Sequence, residues 1–193
     1  MVEPPEVFGL HDNADISYQK QESDKIIETV LSIQSRIASG GGGMTPDQIV
    51  LNKQKQLLEE LPDLLDLNTG KKEQFKMHNG LYPSLTTVLI QEIEKFNRML
   101  RVMKSSLIDL EKAIHGFIVM SETLDEMYLA LQNNQVPKNW AKVAYPSLKP
   151  LASWYIDLKE RVEFMDDWLK NGTPRSFWIS GLFFPQGFMT GCL

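Results

Sequence analysis

Residues 84–117, SLTTVLIQEIEKFNRMLRVMKSSLIDLEKAIHGF, carry apolar side chains at Leu89, Ile93, Phe96, Leu100, Met103, Leu107, Leu110, Ile114 and Phe117. The steps alternate between four and three residues over four heptads, the spacing that keeps one face of a helix continuously apolar. One long helix is therefore expected over residues 84–115, capped by Ser84 and roughly 48 Å long at 1.5 Å per residue. Gly116 is its stop signal. The same phase resumes at Leu124, Tyr128 and Leu131. A break between residues 116 and 121 is the favoured reading, with a bent or interrupted helix continuing to Asn133 as the alternative; Pro137 closes this part either way.

Working outward, Thr45-Pro46-Asp47 reads as a helix start, with Thr45 as N-cap and Pro46 in the first turn, where a missing N–H costs nothing. That helix is expected to run to about Leu61. A polar connector follows from Pro62 to Pro83, with at most one helical turn near residues 72–75. Beyond Pro146 and Pro150, a rigid connector, the residues Leu151, Trp154, Tyr155, Leu158, Val162, Met165 and Leu169 mark a second strong amphipathic helix, stopped by Asn171-Gly172. Near the N-terminus, residues 16–19 read as a short extended piece. A helix with Ile26, Ile27, Val30, Leu31 and Ile33 on one broad face follows it, then the loop of Gly40 to Gly43. Residues 177–184 are either a buried strand or the lead-in to a helix starting near Pro185. The expected fold is mainly α: an elongated bundle of about five to six helices around one long central helix, with a possible short strand near each end. Residues 1–44 form an N-terminal segment with a helix and a Gly-rich loop, and 45–193 form the main helical part.

The 193 residues carry a formal net charge of -5. That balance argues against general nucleic-acid binding, which needs a basic footprint to neutralise phosphates. The single cysteine, Cys192, has no internal disulfide partner, which fits a reducing compartment. At the tail of an apolar run it reads as a small buried hydrophobe. The start of the chain lacks the pattern of a secretory signal, so the Asn171-Gly172-Thr173 sequon carries little weight. The apolar run 177–193 falls short of the roughly 20 residues that span a bilayer and is broken by Gly181, Pro185 and Gly187. No membrane partner is expected. Four glycines at 40–43 mimic a phosphate loop, but no Gly-Lys-Ser/Thr follows, and Gly70-Lys71-Lys72 lacks the hydroxyl that would ligate magnesium. His11, His78 and His115 stand far apart, each without a second ligand at helical spacing, so no metal site is expected. Asp166 and Asp167 are neighbours whose side chains point about 100° apart on a helix, a solvated face rather than a catalytic pair.

Two features suggest docking. Lys95, Arg98, Arg101 and Lys104 follow one another at three-residue steps beside the apolar seam. They are read either as a solvated flank pairing with Glu92 and Glu94 or as a stripe for an acidic partner surface. Trp178, Phe183, Phe184 and Phe188 crowd the end of the chain, an apolar concentration that calls for other protein to cover it. All four tryptophans lie in the last third, which is either the best-packed portion or the docking face.

The run Phe-Trp-Ile-Ser-Gly-Leu-Phe-Phe-Pro-Gln-Gly-Phe at 177–188 resembles a signature of the C-terminal region of dynein heavy chains, microtubule motors built on a ring of AAA+ modules. Residues 8–16, Ser32-Ile33-Gln34, residues 96–102 and 145–151 are similar to family blocks in the same order, so the resemblance covers nearly the whole chain. Their style is closer to the axonemal branch than to the cytoplasmic one. The resemblance implies a segment following or completing the sixth AAA+ module, and in the family this region continues past the equivalent of Cys192-Leu193, commonly into a small β-barrel. It further implies a non-catalytic, structural and regulatory role along one face of the ring, with the AAA+ modules of the same heavy chain and dynein complex subunits as partners. No cofactor is expected in this segment. ATP and magnesium belong to the parent motor, and microtubules are reached only through other parts of the heavy chain. The implied location is the cytoskeleton of the cilium, the axoneme. The alternative, from the residues alone, is a free-standing helical adaptor pairing with a partner helix through the 89–117 seam.

Overall fold

The computed structural model describes residues 16, 19–21, 23–24, 26–27, 45–68 and 80–192. Among them the fold is mainly helical and contains no strand. The glycine loop at 40–43, the positions Val30, Leu31 and Ile33, the turn expected near 72–75, and His11 and His78 lie outside the described residues. Ile16 and Gln19 are helical, so the short extended piece expected there is corrected. Ser23 Oγ donates to the Gln19 carbonyl at 2.8 Å, a contact between successive turns.

Helix α1, Pro46–Glu59, opens as its sequence requires. Thr45 Oγ1 accepts from Gln48 N and the Gln48 side chain accepts from Thr45 N, a complete capping box with Pro46 in the first turn. Helix α2, Ser84–Ile114, is the 31-residue axis of the molecule. Its N-cap is Pro83, without a side-chain hydrogen bond, so Ser84 is the first helical residue rather than the cap. At the other end Gly116 takes φ +76°, with Phe117 N donating to Lys112 O at 2.8 Å and Gly116 N to Ala113 O at 3.0 Å. This Schellman closure needs a left-handed residue, which glycine supplies without strain. The chain then turns through 117–120, where Phe117 is 80% and Val119 90% exposed. The seam therefore ends one step earlier than its spacing suggests.

Ser121 caps α3, Glu122–Gln132. A second Schellman closure ends it, with Asn134 at φ 57° and Gln135 N donating to Ala130 O. A single-turn helix α4, Lys138–Ala141, carries Trp140 into the core. Helix α5, Leu151–Asn171, stops at Gly172 with φ 91°. The expected alternative of a helix near Pro185 holds: a 3-10 turn, Ile179–Gly181, leads into α6, Pro185–Gly191.

Helices α1, α3, α4, α5 and α6 all pack against α2. Its seam residues from Leu89 to Leu110 are almost wholly buried, together with Met127, Leu131, Trp154, Leu158 and Met165 from the helices around them. The seam is thus closed by the protein's own helices, and the adaptor reading loses the surface it needs. Buried polar groups fix the register. Gln54 Nε2 donates to the Leu107 carbonyl at 3.0 Å, joining α1 to α2. Asn97 pairs with both backbone groups of Leu65, each at 2.8 Å, and pins the segment after α1 onto α2. The Tyr155 hydroxyl donates to Leu57 O at 2.6 Å, and burial raises its pKa far above the usual phenol.

Candidate docking surface

The apolar end of the chain folds back on the bundle. Glu92 lies on α2 one residue before the seam position Ile93 and is 1% exposed. Its Oε2 accepts from Phe183 N at 2.6 Å and its Oε1 from Phe184 N at 2.9 Å. Phe184 is the N-cap residue of α6, so one carboxylate satisfies donors at the start of that helix and places negative charge where the helix dipole favours it. Glu92 therefore does not pair with the basic stripe, which corrects one half of the expectation for that stripe.

A second clamp joins α5 to the same segment. Arg161 Nε donates to Asp157 Oδ2 at 2.7 Å, its Nη1 donates to Ser180 O at 2.7 Å, and its guanidinium lies 3.9 Å from the Tyr145 ring centre and 5.1 Å from that of Trp178. Lys149 Nζ donates to the other oxygen of Asp157 at 2.9 Å. Burial pushes the Asp157 carboxyl up, but hydrogen bonds from Lys149, Arg161 and Tyr145 together outweigh it and hold the pKa below 3.8. A carboxylate depressed in the fold stabilises it above its ordinary pKa and loses that contribution as pH falls through the folded value. Wild-type stability is accordingly expected to fall more steeply below pH 3.8 than that of Asp157→Asn, measured by urea unfolding across the acid range. Parallel slopes would show the clamp contributes nothing.

The four terminal aromatics separate in space. Phe188 is buried and packs on Phe177 at 4.7 Å between ring centres, and Phe177 meets Trp168 edge-on at 5.1 Å. Phe183 is half-buried, edge-on to Phe96 at 4.7 Å and to Tyr145 at 5.7 Å. Trp178 is half-buried against Phe164 and Arg161. Phe184 stays 48% exposed, with Lys95 Nζ 5.1 Å from its ring centre. Most of this run is thus covered by the chain itself, because its rings interleave with an aromatic row that continues through Tyr145, Trp154 and Trp140. Trp140, Trp154 and Trp168 are buried, so the last third is largely core. Cys192 is exposed just past the end of α6, which corrects the expectation of a buried thiol.

At Gly181 the missing side chain leaves room for a ring. A Cβ on Gly181 would sit 2.7 Å from the Trp178 ring. Gly181→Ala is expected to cost about 1–3 kcal/mol, a fall in Tm of roughly 2–12 °C, read by calorimetry. An unchanged Tm would mean Trp178 is free to move away.

The basic stripe also divides. On a helix of 3.6 residues per turn each three-residue step falls back by about 60°, so Lys95 and Lys104 lie about 180° apart. Lys95 joins Phe184 on the α6 side. Arg101 and Lys104 line a shallow depression with Ser105, Ile108, Asp109 and Lys112, and Arg98 is exposed nearby. Among the described residues, Arg98, Arg101, Lys104 and Lys112 enter no ion pair or side-chain hydrogen bond. Lys112 was not singled out from sequence, although its four-step distance from Ile108 marks it. Asp166 and Asp167 bond separately to Lys170 and Asn171. Among the described residues no group of three or more His, Cys, Asp or Glu side chains converges on one point, and no helix is long and apolar enough to cross a membrane.

Comparison with known proteins agrees with the sequence blocks. The family model that describes the C-terminal domain of the dynein heavy chain matches residues 20–193. The protein is 46% identical over 194 residues to dynein axonemal heavy chain 6 of Homo sapiens, covering 100% of this chain and 5% of that protein. It is 44% identical over 190 residues to dynein axonemal heavy chain 1 of Rattus norvegicus, covering 98% of this chain and 4% of that one. With dynein axonemal heavy chain 3 of Homo sapiens the identity is 43% over 188 residues, 97% of this chain and 4% of that protein. The chain spans only about a twentieth of the length of these relatives. A mainly helical bundle around one long helix, matched along nearly its whole length, thus belongs to the family of C-terminal domains of dynein heavy chains.

Proposed function

We propose that this chain is a non-catalytic structural and regulatory element of an axonemal dynein heavy chain, packed against the AAA+ ring of the same polypeptide. The observation that carries the reading is a row of exposed cations that enter no ion pair among the described residues, on the outer side of a 31-residue helix in a chain of this family. A rigid helix of that length couples contacts at one end to contacts at the other. The charged residues that the fold gathers, Glu92, Lys149, Asp157 and Arg161, each hold one segment of the chain to another. Nucleotide and magnesium are bound by other modules of the heavy chain, and microtubules by other parts again. Further partners are the remaining subunits of the dynein complex, in the cytoskeleton of the cilium. Nucleic acid and membranes are not partners.

Two measurements test this. The purified chain is expected to hydrolyse no ATP above buffer, and a heavy chain lacking these residues is expected to keep ATP turnover while its stall force changes. ATP turnover by the chain alone, lost on Lys71→Ala, would contradict the reading.

A further inference from the structure

We infer that the outer face of α2 seats an acidic amphipathic helix from elsewhere in the heavy chain, an inference that rests on the ring-packing reading above. Opposite the buried seam, α2 carries a second row at the same alternating spacing: Glu94, Arg98, Arg101, Ser105, Ile108 and Lys112, at steps of four, three, four, three and four. Such a row keeps facing a helix laid along it, because a partner helix presents its own side chains at the same spacing and phase. At the middle of the row stand exposed Ser105 and half-buried Ile108, a small residue that admits close approach beside an apolar one that rewards it.

The charges select the occupant. Arg98 and Arg101 lie on one side of this centre and Lys112 on the other, with Lys104 at the flank, all four exposed. The nearby carboxylates do not neutralise them. Asp109 accepts from Ser105 Oγ at 3.4 Å, Glu111 is reached by Gln54 at 3.4 Å, and Glu94 forms no ion pair among the described residues. In a chain of net charge -5 this is a local excess of positive charge. Its complement is a helix with one apolar residue over Ser105 and Ile108, flanked by Asp or Glu a turn away on each side.

The test uses the full heavy chain with a photo-cross-linking amino acid at position 105 and, separately, at position 156, an exposed site on α5. Cross-linked peptides are mapped by mass spectrometry. The inference expects position 105 to label an Asp- or Glu-rich helix of the same heavy chain. The combined variant R98E, R101E and K112E, whose sites are exposed, is expected to cut that yield about tenfold with Tm unchanged. Labelling of the ring from 156 but not from 105 would overturn the inference while leaving ring packing standing. Labelling from neither position would overturn both. Labelling from 105 of a segment without acidic residues, or of a separate polypeptide, would overturn the inference alone.

Discussion

The double variant Leu100→Asp with Leu107→Asp is expected to unfold the chain at 25 °C, with loss of the helical circular dichroism and of any cooperative thermal transition. Both leucines sit in the α2 seam, at 1% and 0% exposure, among residues of the surrounding helices. Truncating one such leucine costs about 2–5 kcal/mol from lost contacts and the cavity left behind. Replacing it by a carboxylate adds the penalty of a buried charge without a partner. Two such losses exceed the roughly 5–15 kcal/mol that holds a typical domain together. The adaptor reading expects the opposite, a protein that keeps its helical signal and loses only its partner helix. Sedimentation and circular dichroism on one sample separate the two.

Glu92→Ala is expected to release the end of the chain while the bundle persists. Two backbone donors, Phe183 N and Phe184 N, lose a buried charged acceptor. Hydrogen bonds to charged groups contribute about 1.5–3 kcal/mol each, so the local cost of losing two is about 3–6 kcal/mol. Once released, Phe183 leaves Phe96, and Phe188 leaves Phe177. Amide exchange over residues 177–192 is then expected to accelerate by more than about 100-fold, with little change in the core of α2. Glu92→Gln keeps one acceptor oxygen but presents an amide donor to the second N–H, so it is expected to fall between wild type and Glu92→Ala. Equal exchange rates in all three proteins would show that the aromatic contacts alone hold the segment.

These two sites, the α2 seam and Glu92, also show what is legible in the sequence. The seam of α2 could be read because 3.6-residue periodicity is local and is sustained here for eight turns. Its observed limits, Ser84–Ile114, lie within a residue of the expected range. Thr45, Pro46, Gly116 and Gly172 mark their helix ends because capping is chemistry among near neighbours. Glu92 reads from sequence as a flank partner of the basic stripe, because its actual partners lie 91 and 92 residues away and nothing in local spacing reports such a distance. The Asp157–Arg161 pair has a local signal in the sequence, opposite charges four residues apart beside the apolar stripe of α5. The basic stripe looks like a line in the sequence, although three-residue steps wind around a helix. Only the structure separates Lys95, over Phe184, from Arg101 and Lys104 at the depression. The terminal run was too short for periodicity to choose between strand and helix. A 3-10 turn and a seven-residue helix are held by contacts with α2 and α5 rather than by intrinsic preference.

Lysine-reactive cross-linking of the intact heavy chain, read by mass spectrometry, tests the central claim most directly. Packing against the ring predicts that exposed lysines of this segment, Lys104 and Lys112 foremost, link to AAA+ modules of the same polypeptide. Links confined to the segment itself, or running only to other polypeptides, would contradict it.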